Sequence, residues 1–190
     1  MIPHTPYRPW GELAWALQLT GEKRWHYIGC LSTEERSVEP LVELHEKNFL
    51  ATHHLIRVLD TKPEDANREE VEIQKRIDRC QSMGMDTRSA SLPLDIRVNV
   101  QSCPAVFDFG DESALCLDIS CLPKRFFFPI LKAAYQSSQV KDLLVLYAKP
   151  AGYPERSISS DPNAWGTIDQ FSCIDDALEK EAEKHLIINT

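Results

Sequence analysis

The stretch Ala114-Leu115-Cys116-Leu117-Asp118-Ile119-Ser120 decides the fold, because it is an apolar run of strand length that ends in polar side chains. Such a run is typical of a strand that is buried on both faces of a parallel sheet. An apolar stretch with helical spacing follows at 126–135, and another strand-like run follows at 141–147. A strand, a helix and a strand in succession predict a right-handed βαβ unit.

The rest of the chain repeats this alternation. Apolar runs predict strands at 25–31 and 54–60, and apolar spacing predicts helices at 38–50 and from Glu64 to a stop at Gly84. Residues 85–110 are compatible with a short strand followed by a crossover helix, which parallel strands require. We therefore expect an α/β fold, a Rossmann-like three-layer sandwich with a mainly parallel central sheet.

The chain divides into three parts by composition. Residues 1–21 contain three prolines and then a helical pattern, which predicts an N-terminal arm and a short helix. Residues 22–150 form the predicted Rossmann-like α/β domain. Residues 151–190 are a C-terminal extension that either packs on this domain or begins a second domain that was removed from the chain.

Composition excludes several classes of function. The chain has 29 acidic and 21 basic residues and a net charge of −8, whereas a broad nucleic-acid surface needs clustered Lys and Arg. No stretch approaches the roughly 20 apolar residues that cross a bilayer. The N-terminus lacks the basic and then apolar pattern of a secretory signal. We therefore expect no membrane association, no broad nucleic-acid surface and a cytoplasmic location.

The motifs of common cofactor and metal sites are missing from the sequence. None of the six cysteines forms a C-x-x-C pair, and the histidines lack the H-E-x-x-H spacing, so we expect reduced thiols and no metal. Neither the G-x-G-x-x-G fingerprint of dinucleotide-binding folds nor the P-loop motif occurs. We expect no cofactor.

The loop from Ser120 to Arg125 is the first candidate for a ligand site, because parallel sheets bind ligands outside the carboxyl ends of their strands. Ser120 or Cys121 is placed to cap the next helix, and Pro123 suits its first turn. Lys124 and Arg125 then fall at the positive end of the helix dipole, and a bound anion would relieve that repulsion. The alternative is that both cations reach solvent or pair with nearby carboxylates.

The loop after the first predicted strand is the second candidate. Gly29 permits a close backbone approach, Ser32 and Thr33 supply hydroxyls, and Arg36 supplies a forked donor. With Ser120, Lys124 and Arg125, these three polar residues make up the predicted ligand-binding set. The alternative is an ordinary polar connection between a strand and a helix.

Two further side chains raise the possibility of chemistry. Asp118 follows an apolar strand, as a magnesium-binding acid would, although without a P-loop a structural or capping role explains it better. Cys121 at a helix N-terminus beside two cations has the setting of a thiol with a lowered pKa. No particular histidine is identified as its base, so we predict no catalytic residue.

The segment Asp118-Ile119-Ser120-Cys121-Leu122-Pro123-Lys124 resembles the signature that follows the fourth strand of CRISPR-associated Rossmann-fold sensor domains, the CARF domains. That signature is Asp, an aliphatic residue, Thr or Ser, two small residues, Thr or Pro, and Lys. The chain departs from it at Cys121 and Leu122, where the family commonly has glycines. The resemblance implies a homodimeric sensor of a nucleotide-like ligand, coupled to an effector protein or second domain in prokaryotic antiviral defence.

Three functions therefore stay open at the level of sequence. The first is a ligand-sensing or regulatory domain that binds a nucleotide-like anion. The second is a nucleotide-processing hydrolase that uses the same cleft, with acids such as Asp118 or Glu34. The third is a protein–protein interaction module whose contacts are aromatic, through Trp10, Trp15 and the segment 153–165.

Overall fold

The computed structural model describes residues 11–21, 23–59, 66–93, 114–150 and 152. These residues form four α-helices, five strands and a short 3-10 turn at Glu35–Ser37. In chain order the elements are α1 Leu13–Thr20, β1 Trp25–Cys30, α2 Glu39–Glu46, β2 Leu50–Leu59, α3 Ala66–Ser82, β3 Ser89–Pro93, β4 Ala114–Asp118, α4 Lys124–Gln136 and β5 Asp142–Leu146.

The strands form one sheet in the order β3-β2-β1-β4-β5, and all four pairings are parallel. Alternate side chains of a strand point to opposite faces, so β4 buries Cys116 in one core and Leu115 and Leu117 in the other. The first core contains buried side chains of α1, α2 and α3, and the second contains those of α4. The predicted α/β fold with three layers is thus confirmed.

The ends of α2 and α3 show how local sequence sets the element boundaries. Each helix ends in a Schellman motif, with Asn48 (φ 59°) after α2 and Gly84 (φ 77°) after α3. The Phe49 amide donates to the Leu44 carbonyl at 2.8 Å, which closes the first motif. The predicted stop at Gly84 is confirmed. The prediction that this helix runs to residue 50 is wrong, because Asn48 ends it early. Strand β2 therefore begins at Leu50 rather than at residue 54.

Helix α4 runs without interruption through Pro129, which is buried inside it. A proline at that position removes one intrahelical hydrogen bond. Phe126 is fully buried and Phe127 is 9% exposed. Both pack in the core between α4 and the sheet. The prediction of a buried apolar helix in this region is therefore confirmed, and the helix begins at Lys124, with Lys124 and Arg125 in its first turn as predicted.

Several predictions concern parts of the chain outside the described residues. These are the N-terminal arm before residue 11, the crossover helix between β3 and β4, and the extension beyond residue 152. The division of the chain into domains therefore stays a prediction. None of the helices among the described residues is long and apolar enough to cross a membrane.

Gly29 in β1 gives room to a side chain of the same strand. Tyr27 lies two residues earlier and on the same face, and its ring is fully buried beside the Gly29 α-carbon. A Cβ atom at residue 29 would lie 2.6 Å from two ring carbons of Tyr27. The glycine predicted to admit a ligand instead admits this tyrosine.

We expect the substitution Gly29→Ala to lower the free energy of unfolding by about 1–3 kcal/mol, because the ring cannot move without disturbing a closely packed core. Urea denaturation measures the change. Gly152→Ala is the matched control, since a Cβ at Gly152 meets no atom within 4 Å. Equal stabilities of the two variants would contradict the packing argument.

Candidate functional site

The candidate site lies where the order of the strands reverses. Strands β1 and β4 are neighbours, but the chain leaves β1 towards β2 and leaves β4 towards β5 on the opposite side. Loops that diverge from adjacent strands open a crevice at the carboxyl edge of a parallel sheet, and this crevice is the usual ligand site of such folds. The six predicted ligand-binding residues all fall in these two loops or in the first turn of α4.

A buried carboxylate forms the floor of this crevice. Asp118 is 1% exposed, and its Oδ2 accepts a hydrogen bond of 2.6 Å from the Tyr27 hydroxyl. Its Oδ1 accepts a 2.8 Å bond from the backbone amide of Ser120 and a further bond from the Ser120 hydroxyl. Burial raises the pKa of Asp118 above its ordinary value, and the donors from Ser120 and Tyr27 lower it in part. The carboxylate is therefore structural rather than available to a substrate.

Ser120 joins the ends of two strands instead of capping α4. Its hydroxyl donates to Asp118 and accepts a hydrogen bond of 2.7 Å from the amide of Ala148, just after β5. Helix α4 has Pro123 at its N-cap position and no side-chain capping bond. The prediction that Ser120 or Cys121 caps the helix is wrong, because the hydroxyl of Ser120 is committed to Asp118. Ser120 itself is 6% exposed.

Arg36 crosses the crevice from the β1 loop to the end of β5. Its Nε donates to Glu34 Oε2 at 2.6 Å, and its Nη1 donates to the carbonyl of Ala148 at 2.9 Å. The guanidinium carbon also lies 5.7 Å from the centre of the Tyr147 ring. The hydrogen bond with Glu34 is the main reason why the pKa of Arg36 is raised. The predicted anion-binding arginine thus already has an acidic partner.

Ser32 and Thr33 are half-buried in the same loop, and their contacts fix its shape. The Ser32 hydroxyl accepts a 3.4 Å bond from the amide of Glu34, and the Ser32 carbonyl accepts a 3.3 Å bond from the hydroxyl of Ser37. The Thr33 carbonyl accepts a 3.3 Å bond from Arg76 Nη2 of α3. Both residues follow β1 and so lie at the carboxyl edge of the sheet, as predicted.

Lys124 and Arg125 occupy the first two positions of α4, at the carboxyl edge of β4. The first turn contains no acidic residue. Lys124 is exposed, and the guanidinium carbon of Arg125 lies 5.3 Å from the centre of the Phe126 ring. The first amides of a helix have no intrahelical acceptor, so this end of α4 combines backbone donors with two cations.

Cys121 is not a reactive thiol. Burial, with smaller contributions from the carboxylates of Glu34 and Asp118, raises its pKa to about 12, and Arg36 and the Ser32 hydroxyl offset that rise only in part. The prediction of a lowered pKa is therefore wrong. The sequence places two cations beside Cys121 along the chain, whereas the fold places carboxylates beside it in space.

Sequence reasoning missed three residues of this site. Tyr27 reaches Asp118 across the sheet, Arg76 reaches the β1 loop from α3, and Tyr147 lies under Arg36. Each contact joins residues far apart in the chain, so no local motif marks it. No three metal-ligating side chains in the described part of the chain are grouped closely enough to hold a metal ion.

We expect Tyr27→Phe to destabilise the fold by about 1–3 kcal/mol at pH 7, because the buried Asp118 carboxylate loses a donor. Since burial raises the pKa of Asp118, its contribution to stability is fully present below pH 3.8 and is lost as the pH rises through the folded-state pKa. Tyr27→Phe raises the pKa of Asp118 further, so the loss in the free energy of unfolding should be larger at pH 7 than at pH 4. Urea denaturation at both pH values measures this loss.

The control for that experiment is Tyr135→Phe, which removes the same hydroxyl from a side chain that is 70% exposed. This variant should unfold as the parent chain does. An equal loss of stability in Tyr27→Phe at both pH values would contradict a role for the charged carboxylate.

We expect Cys121 to react very slowly with iodoacetamide. At pH 8 a pKa of about 12 gives a thiolate fraction roughly 1000-fold below that of a thiol with the ordinary pKa of 9.0. Peptide mapping by mass spectrometry should show a rate that still rises beyond pH 10, and a faster rate in Glu34→Gln. N-acetylcysteine amide is the reference, and a rate that levels off near pH 7 would refute the raised pKa.

Comparison with known proteins leaves the site to be interpreted from its own chemistry. The chain matches no protein-family model, no curated protein and no solved structure. The resemblance to CRISPR-associated Rossmann-fold sensor domains stays a prediction. What the described residues establish is a Rossmann-like α/β domain with polar side chains at the carboxyl edge where its strand order reverses.

Proposed function

We propose that this domain is a sensor or regulatory domain that binds a nucleotide-like anion over the start of α4. The observation that carries the proposal is the sequence of the first turn, where Lys124 and Arg125 open a helix that has neither a side-chain cap nor an acidic residue. Both residues lie at the reversal of strand order, where α/β sheets bind nucleotides.

The start of α4 differs in charge from the starts of α2 and α3. Helices α2 and α3 carry Glu39 and Glu69 in their first turns, which complements the positive end of the helix dipole. Helix α4 has cations in its first turn instead. Each cation there lowers the stability of the helix by about 0.3–1 kcal/mol at an exposed site. A phosphate group would turn this repulsion into attraction, because backbone amides and both side chains would face it.

Arg36 supplies a way for the ligand to change the domain. Its guanidinium holds the carbonyl of Ala148 and is shared with Glu34 at the surface of the crevice. A phosphate that competes with Glu34 would draw Arg36 towards α4 and loosen its hold on the end of β5. A regulatory domain needs such a link between its ligand and a distant strand.

The state of the candidate catalytic groups favours binding over hydrolysis. Asp118 is buried and accepts three hydrogen bonds, and the raised pKa of Cys121 keeps its thiol protonated. A nucleophile or general base must instead reach its substrate in the reactive protonation state. These two residues therefore support a sensor rather than the nucleotide-processing hydrolase.

Isothermal titration tests the proposal with cyclic dinucleotides and larger cyclic oligonucleotides, linear oligonucleotides, ATP and inorganic phosphate. We expect at least one nucleotide to bind, and we expect Lys124→Ala and Arg125→Ala each to weaken it about 10-fold or more, because charge-assisted hydrogen bonds are lost.

Lys141→Ala is the matched control, since this exposed lysine precedes β5 at the opposite edge of the sheet. It should bind as the parent chain does. The proposal fails if no member of the panel binds, or if the three variants lose affinity equally.

A further inference from the structure

A second concave surface lies beside the end of β5, away from the start of α4. It is a groove of about 620 Å³ between the start of α1, one face of α2 and the last residues of β5, and we call it the acidic groove. Among the described residues, the charged side chains that line it are four glutamates and one arginine: Glu12, Glu39, Glu43, Glu46 and Arg79.

The pairing of these charges leaves the groove acidic. Arg79 is held by Glu39 through two hydrogen bonds, one of them 3.0 Å between Nη2 and Oε2. Glu43 pairs with Lys47 at 2.7 Å. Glu12 and Glu46 are exposed and form no ion pair within the described residues. The outer face of α2 therefore presents carboxylates along its length.

The wall opposite α2 is apolar and open to solvent. Tyr147 is 57% exposed and Leu13 is half-buried, and both line the groove. Exposed apolar side chains that adjoin a row of charges are typical of a surface that receives another molecule. The groove volume falls within the range of about 300–1000 Å³ that ligand sites occupy.

We infer that the acidic groove is a docking site for a basic segment of a partner protein, in which Lys or Arg side chains alternate with apolar ones. The carboxylates match the cations of such a segment, and Leu13 and Tyr147 match its apolar side chains. The described carboxylates are too dispersed to hold a metal ion, so they suit several separate cations better than a single one.

A second copy of this chain is a poorer match for the groove. The chain carries a net charge of −8, so two copies repel each other, and an acidic surface gains nothing from an acidic partner. The charge complementarity selects a basic partner instead.

Fluorescence anisotropy tests the inference with the full chain and a fluorescein-labelled peptide of sequence KKLKRLKK. We expect this peptide to bind and its glutamate counterpart, EELEELEE, not to bind. The double variant Glu43→Gln/Glu46→Gln should weaken binding about 10-fold or more. High salt should weaken the binding in the parent chain, because exposed charges are screened.

The double variant Glu72→Gln/Asp78→Asn is the matched control, since it neutralises two carboxylates on α3 that do not line the groove. It should bind the basic peptide as the parent chain does. The inference is overturned if the parent chain does not bind KKLKRLKK, or if both double variants lose affinity equally. It is also overturned if sedimentation shows self-association that Glu43→Gln/Glu46→Gln abolishes, since the occupant would then be a second copy.

Discussion

The buried carboxylate of Asp118 is the constraint on which the candidate site depends. A charge removed from water must be satisfied by donors, and here Tyr27 of β1 and Ser120 of the following loop provide them. Ser120 in turn accepts a bond from the amide of Ala148 after β5. Asp118 and Ser120 thus link three neighbouring strands, β1, β4 and β5, where the order of the strands reverses.

This network also explains the shape of the surrounding sequence. The Tyr27 ring needs the space above Gly29 in order to reach Asp118, so a glycine interrupts an otherwise apolar strand. Burial and the carboxylates of Glu34 and Asp118 raise the pKa of Cys121, so its thiol stays protonated and unreactive. Hydrogen bonds thus hold the carboxylate of Asp118 and the guanidinium of Arg36, while Lys124 is exposed at the start of α4.

The two proposed binding surfaces meet at the end of β5. Ala148 receives hydrogen bonds from the crevice side through Ser120 and Arg36, and the adjoining Tyr147 lines the acidic groove. The crevice opens on cations and the groove on carboxylates, so the two surfaces select ligands of opposite charge. A ligand that displaces Arg36 would alter the segment that forms one wall of the groove.

The sequence by itself determined the layers of this protein, because apolar runs at 25–31 and 114–120 must be buried on both faces and helices must cover them. It also placed Lys124 and Arg125 at a helix start, since that depends on neighbours along the chain. Only the tertiary structure decided that the hydroxyl of Ser120 accepts a hydrogen bond from the amide of Ala148 and that the carboxylate of Glu34 lies near Cys121. Those outcomes depend on residues that are distant in the chain and adjacent in space, and no local pattern encodes the distance between them.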